Sequence, residues 1–195
     1  MIFMIQIIFA SIQVYLAYYM EVFSAASFTG LFLSIEQILV VLGTIAPIFL
    51  FKQISFKGTR NMIVLAFILG VSVLAMQLSI YLTVASVALI AFFVGVAFTT
   101  LNIYLSKVIT TKVSQKVSLY TSIRFSGGFV LSFCWGKLIE IYRGQGMNYG
   151  QIFKHLYTDA GIIVAVMFIA IILLQREEVH LWKSEFSGKI LIEEV

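Results

Sequence analysis

Apolar runs about as long as a bilayer is thick alternate with short polar breaks along the whole chain. A bilayer core takes ~20 apolar residues in helical form. The pattern therefore predicts spans at about 1–20, 32–51, 61–80, 84–105, 118–138 and 159–175. Backbone groups in lipid must be satisfied internally, so runs of this length are helices. Short alternating segments of the β-barrel kind are absent from the sequence. The expected fold is an all-α integral membrane domain over 1–175, a bundle of six transmembrane helices, followed by a tail over 176–195.

Residues 139–158 read as the longest loop, polar and flexible, with Glu140, Tyr142, Arg143, Gly144, Gly146 and Gly150. In the tail, Val179, Trp182, Phe186 and Ile190 recur at helical spacing. A helix lying on the membrane surface uses that pattern, with Trp182 at the headgroup level. The tail is net acidic, which weakens attraction to anionic lipid and fits a frayed end equally well. Span one lacks the basic start and small-residue cleavage site of a signal peptide and reads as a retained helix. Its abrupt apolar start, Met1 to Met4, also fits a chain cut from a longer one.

Composition agrees with the pattern. Hydrophobic residues make up 61% of the chain and charged residues 11%, with mean hydropathy +1.04. A soluble domain carries roughly a quarter charged residues, so this chain cannot coat a water-exposed surface. With one Pro and 13 Gly, it is neither disordered nor collagen-like. The single Cys134 cannot form an internal disulfide or a cysteine metal site and reads as an apolar buried thiol.

Charge orients the bundle. Lys52, Lys57 and Arg60 follow span two, and Lys107, Lys112 and Lys116 follow span four. Arg176, Lys183 and Lys189 lie in the tail. With six spans, these nine residues fall on one side, against Lys137, Arg143 and Lys154 on the other. Cytoplasmic loops carry the excess of Lys and Arg, so both termini are expected in the cytoplasm, in a cell (plasma) membrane. The same distribution explains the pI of 9.2 without a nucleic-acid partner.

Polar side chains inside spans are costly and face the bundle interior or a solvated cavity. Gln6, Ala10, Gln13 and Ala17 share a stripe of span one. Span two carries Glu36, Gln37, Gly43, Thr44 and Pro47, and Pro47 can bend it. Span four has Ala91, Gly95, Thr99, Asn102 and Ser106. Span five has Tyr120, Arg124, Gly128, Ser132 and Gly136, each four apart. Small residues at that interval, here Gly128, Ser132 and Gly136, let helices approach closely. Span three is less polar, and span six, from Gly161 to Leu174, has no polar side chain. Spans one, two, four and five therefore have polar faces, while three and six look lipid-facing.

The candidate cavity-lining residues are Gln6, Gln13, Glu36, Gln37, Thr99, Asn102 and Arg124. Gln6, Gln13, Thr99 and Asn102 also read as helix–helix hydrogen-bonding groups. Glu36 and Arg124 either snorkel to an interface or face a solvated cavity. Their expected depths differ by on the order of 12 Å, which does not favour a direct ion pair. A cavity-facing Glu36 could load a proton outside and release it inside, which makes it the proton-coupling candidate.

This pattern resembles the major facilitator superfamily, specifically the C-terminal six-helix half of such a transporter, over essentially the whole chain. Lys57-Gly58-Thr59-Arg60 looks like the end of that family's loop after the second helix of each half. The loop's Asp-Arg positions here carry Ser55 and Phe56, and its leading Gly is Phe51. The segment from Phe92 through Gly95 and Asn102 to Lys107, with Ser118, Ser122, Gly127-Gly128 and Gly136, is similar to the family's tenth and eleventh helices. The resemblance implies a secondary transporter of a small solute working by alternating access, with binding near the midplane between two halves. It also implies a second six-helix half, on a separate chain or a missing N-terminal part.

Enzymatic chemistry is not expected, and no cofactor or metal is called for. Ser126-Gly127-Gly128 is not the Gly-x-Ser-Gly of a rhomboid-type protease, and His155 and His180 lie outside the expected spans. Glu177-Glu178 with His180 is a lone tail cluster, not a zinc ligand set. No phosphate-binding Gly-rich loop occurs, so the chain does not itself use ATP. The alternatives are a six-span substrate-binding subunit of an ATPase-driven uptake complex and a non-transporting membrane assembly protein. The sequence does not name the substrate.

Overall fold

A computed structural model describes the backbone of 2–50, 56–108 and 113–190. Side chains at 2–4, 7, 50, 56–57, 104–108, 113–116, 123–125, 131, 167 and 171–190 lie outside the described set. Among the described residues the chain forms six α-helices and no strand. They are α1 (Ile2–Glu21), α2 (Thr29–Leu50), α3 (Phe56–Met76), α4 (Ile80–Val108), α5 (Val113–Gly144) and α6 (Tyr149–Ile190), with a 3-10 turn at Ala26–Phe28. Four described stretches are long and apolar enough to cross a membrane: Ala26–Phe49, Gly58–Met76, Ile80–Ile103 and Tyr149–Ala170. The chain is thus an all-helical protein suited to a lipid bilayer. The expected spans at 1–20 and 118–138 fall on α1 and α5, which both include side chains outside the described set.

One expected boundary is overturned. Residues 139–158 are not a long loop: α5 runs to Gly144 and α6 starts at Tyr149. Local backbone chemistry sets both ends. The Gly146 N–H donates to the Arg143 carbonyl at 2.9 Å, and the Met147 N–H to the Tyr142 carbonyl at 3.1 Å. That pair of bonds closes a helix through a residue at positive φ, and Gly146 sits at φ +82°. Asn148 then caps α6. Its Oδ1 accepts from the Gln151 N–H at 2.9 Å, while its own N–H donates to Gln151 Oε1 at 3.2 Å. This reciprocal pairing satisfies two otherwise orphaned donors. Ser24, at φ 54°, ends α1 in the same way as Gly146 ends α5, with bonds from Ser24 to Glu21 and from Ala25 to Met20.

α5 and α6 are consequently longer than a bilayer needs. At 1.5 Å per residue, the 32 residues of α5 and the 42 of α6 span about 48 and 63 Å. The helix of α6 also continues through the expected tail as far as Ile190. Arg60, expected in a loop, is buried near the start of α3 and donates from Nη2 to Asn61 Oδ1 at 3.0 Å.

Helix pairing is uneven. α2 packs most extensively on α4, and α1 on α5, while α3 lies against both α4 and α6. α1 also touches α4 and α6. The core lies where α1, α3, α4 and α6 converge, around Ile12, Leu16, Phe67, Leu74, Val94 and Phe153. α3 and α6, expected to face lipid, thus contribute heavily to the core. α2 is instead the most exposed apolar helix, with Ile38, Val41, Ile48 and Phe49 uncovered.

The α2–α4 crossing is a backbone contact. A Cβ on Gly43 would fall on the Phe92 carbonyl, and one on Gly95 on the Val40 carbonyl. Only hydrogen fits at either position, so the two axes approach as closely as helices can. Thr99 adds a bond from its Oγ1 to the Thr44 carbonyl at 3.0 Å. It does so one turn before Pro47, whose ring leaves the helix short of a donor.

Candidate functional site

Glu36 is buried on α2, 1% exposed, and so does not snorkel. Neither carboxyl oxygen has a hydrogen-bond partner among the described residues. Gln13 of α1 faces it without closing a bond of good geometry. Beside Glu36 is a small, partly open space of about 10 Å³, lined also by Leu16, Met20, Phe32, Thr83 and Val87. That is about the room one water needs, and apart from Glu36 and Thr83 the lining is apolar.

Glu36 belongs to a buried polar group drawn from four helices. Thr83 of α4 lines the same space, and its hydroxyl is buried without a hydrogen-bond partner among the described residues. Thr83 also lies beside the Tyr19 hydroxyl of α1, which donates to the Leu74 carbonyl at 2.6 Å. Tyr157 of α6 is fully buried, within electrostatic reach of both Glu36 and Tyr19. Its ring meets that of Tyr19 edge-on at 5.1 Å between centroids, and its hydroxyl has no hydrogen-bond partner among the described residues. A carboxyl whose oxygens are unmatched in an apolar interior is costly to keep there. Such a group is a functional candidate because packing alone gains nothing from it.

The other sequence candidates are dispersed. Gln6 is half-buried against Gly128, its Cγ 3.6 Å from where a Cβ on that glycine would lie. Thr99 is used in the α2–α4 contact. Gln37 and Asn102 are exposed. The side chain of Arg124 lies outside the described residues. Gly128 faces Ala10 of α1, and Gly136 faces the Tyr15 hydroxyl, which donates to the Ser132 carbonyl at 2.6 Å. These three small residues of α5 therefore lie along α1.

Tyr19, Thr83 and Tyr157 were missed by sequence reasoning. Tyr157 fell within the expected loop, so span six looked free of polar groups. Tyr149, Phe153 and Tyr157, each four apart, were the available signal of a helix already under way. Their rings lie in series, Tyr149 tilted against Phe153 at 6.3 Å between centroids and Phe153 stacked on Tyr157 at 6.1 Å.

No protein family, curated protein or solved structure matches this chain.

Proposed function

We propose that this chain is one six-helix half of a secondary active transporter of the major facilitator kind, moving a small solute by alternating access. The observation that carries the reading is an exchange relation among the helix contacts. Shifting each helix number by three turns the α1–α5 pair into α4–α2, and these are the two most extensive contacts. The same shift turns α3–α4 into the lesser contact α6–α1 and leaves α3–α6 and α1–α4 unchanged, and all of these pairs touch, while the small α1–α2 and α5–α6 contacts have no counterpart of that size. Such a pattern is expected of two three-helix repeats related by a two-fold axis. Because three is odd, successive repeats enter a membrane from opposite faces, which gives the inverted repeats found within transporter halves.

Small residues follow the same relation. Gly43 meets Gly95 where α2 crosses α4, and Gly128 meets Ala10 where α5 crosses α1. Polar residues left uncovered by the six helices give further support. Gln37 on α2, Asn102 on α4 and Ser122 on α5 are exposed. In lipid such groups need protein or water around them, and a facing half would supply both. Both termini are then cytoplasmic, in the plasma membrane, and Glu36 is the group that exchanges a proton as access alternates.

Reconstitution tests the reading. The chain alone in vesicles should show no saturable uptake or efflux, and adding a matching six-helix half should be required. Saturable transport by the purified chain, shown to be monomeric, would refute it.

A further inference from the structure

A second cleft, of about 380 Å³, opens between the C-terminal ends of α1 and α5 and the start of α6. Its walls are the rings of Tyr15, Tyr18 and Tyr149, and its charged lining groups are Glu140 and Arg143. It is separate from the Glu36 group and does not depend on the transporter reading. We propose that this cleft binds a small zwitterion joining an ammonium to a phosphate, the chemistry shared by free phosphoethanolamine and the head of an ethanolamine phospholipid.

The walls are held in place. Tyr15 is tied through its hydroxyl to the Ser132 carbonyl at 2.6 Å. Gly136 leaves room for it, because a Cβ there would lie 2.7 Å from Tyr15 Oη. The rings of Tyr18 and Tyr149 meet at 5.5 Å, and those of Tyr15 and Tyr18 at 6.5 Å. Arg143 is fixed over the Tyr149 ring at 5.1 Å and donates from Nη1 to the Tyr149 hydroxyl at 3.0 Å. This uses one of the five donors a guanidinium carries.

The charges select the ligand. Glu140 and Arg143 are three residues apart on α5, so they stand on one face with about 5–6 Å between Cβ atoms. A lone anion would be drawn to Arg143 but repelled by Glu140, and a lone cation the reverse. A molecule with both signs on a short spacer satisfies each. Its ammonium gains the Glu140 carboxylate and the negative faces of the tyrosine rings, and its phosphate gains the Arg143 fork. Among the described residues Glu140 is engaged only with Lys137, at 2.8 Å, in a pair with both side chains mostly exposed. Pairs of that kind contribute little, so the ammonium can take the place of Lys137 at small cost.

Trp135 is a built-in reporter, buried with its ring 6.3 Å from that of Tyr15. The chain has two tryptophans, so Trp182→Phe leaves Trp135 alone. The full chain in neutral detergent is titrated separately with O-phosphoethanolamine, dioctanoyl phosphatidylethanolamine and dioctanoyl phosphatidylglycerol. The expected result is a saturable fluorescence change with an ethanolamine probe and none with the glycerol lipid. Glu140→Gln and Arg143→Gln should each weaken it about tenfold or more while leaving the thermal midpoint in place. A response to both ethanolamine probes means that the headgroup suffices, and a response to the lipid alone identifies the bilayer as the source. No response to either, an equal response to the glycerol lipid, or unchanged affinity in both variants would overturn the proposal.

Discussion

Gly43 and Gly95 meet backbone to backbone, each occupying the position where the other helix's carbonyl would strike a side chain. The pair fixes how closely α2 can lie on α4. Gly43→Ala and Gly95→Ala should each force the helices apart, at a cost of about 1–3 kcal/mol or more. Gly30→Ala, on the same α2 but with nothing within 4 Å of the added Cβ, should be neutral or slightly stabilising. Thermal unfolding in detergent compares the three. Equal midpoints for all of them would mean that the crossing is looser than described.

Gly128 presents a milder case. A Cβ there would lie 3.2 Å from the Ala10 Cβ, so Gly128→Leu should overpack the α1–α5 contact at a cost of about 1–3 kcal/mol. Ile169, exposed on α6, should accept Leu with almost no change. Equal tolerance at the two sites would contradict the α1–α5 packing.

The unmatched carboxyl of Glu36 leads to opposite expectations for stability and function. Glu36→Met removes a polar group that costs about 1–3 kcal/mol to bury without partners, so the thermal midpoint should rise. If the chain is half of a proton-coupled transporter, as proposed, Glu36→Gln in the reassembled protein should keep substrate binding and exchange but lose accumulation driven by a pH gradient. Wild-type accumulation in Glu36→Gln would remove Glu36 as the coupling group.

The proposed sidedness rests on the distribution of lysine and arginine. Reporter fusions at Lys57, Ser114 and Lys183 should read cytoplasmic, and one at Gly146 external. A cytoplasmic reading at Gly146 would eliminate the six-span arrangement.

The short turn between α5 and α6 rests on Asn148 and Gly146. Asn148→Ala removes the side-chain cap of α6 and should cost about 1 kcal/mol, while Asn148→Asp, which can still accept from Gln151, should cost much less. Gly146→Ala places a Cβ at a positive φ and should cost about 1–2 kcal/mol. Thermal midpoints of the three variants check this ranking. A long flexible loop would make all three silent.

The sequence by itself determined where apolar helices lie, because the length of a hydrophobic run is matched to lipid thickness whatever the helix packs against. It also singled out Glu36, since a carboxylate inside such a run is rare enough to stand out. It did not determine where α5 stops and α6 starts. Beyond the bilayer a helix can continue in polar sequence, and its end depends on a few caps, here Gly146 and Asn148, that hydropathy does not register. For the same reason hydropathy alone places Tyr157 in a loop and does not register its place near Glu36. Which small residues meet was decided only by the tertiary structure. Gly43, Gly95 and Gly128 look alike along the chain, and only the helix crossings distinguish two that exclude any side chain from one where a neighbour need give way by only a few tenths of an ångström. Contacts between residues dozens of positions apart depend on the relative placement of whole helices, and no local pattern carries that information.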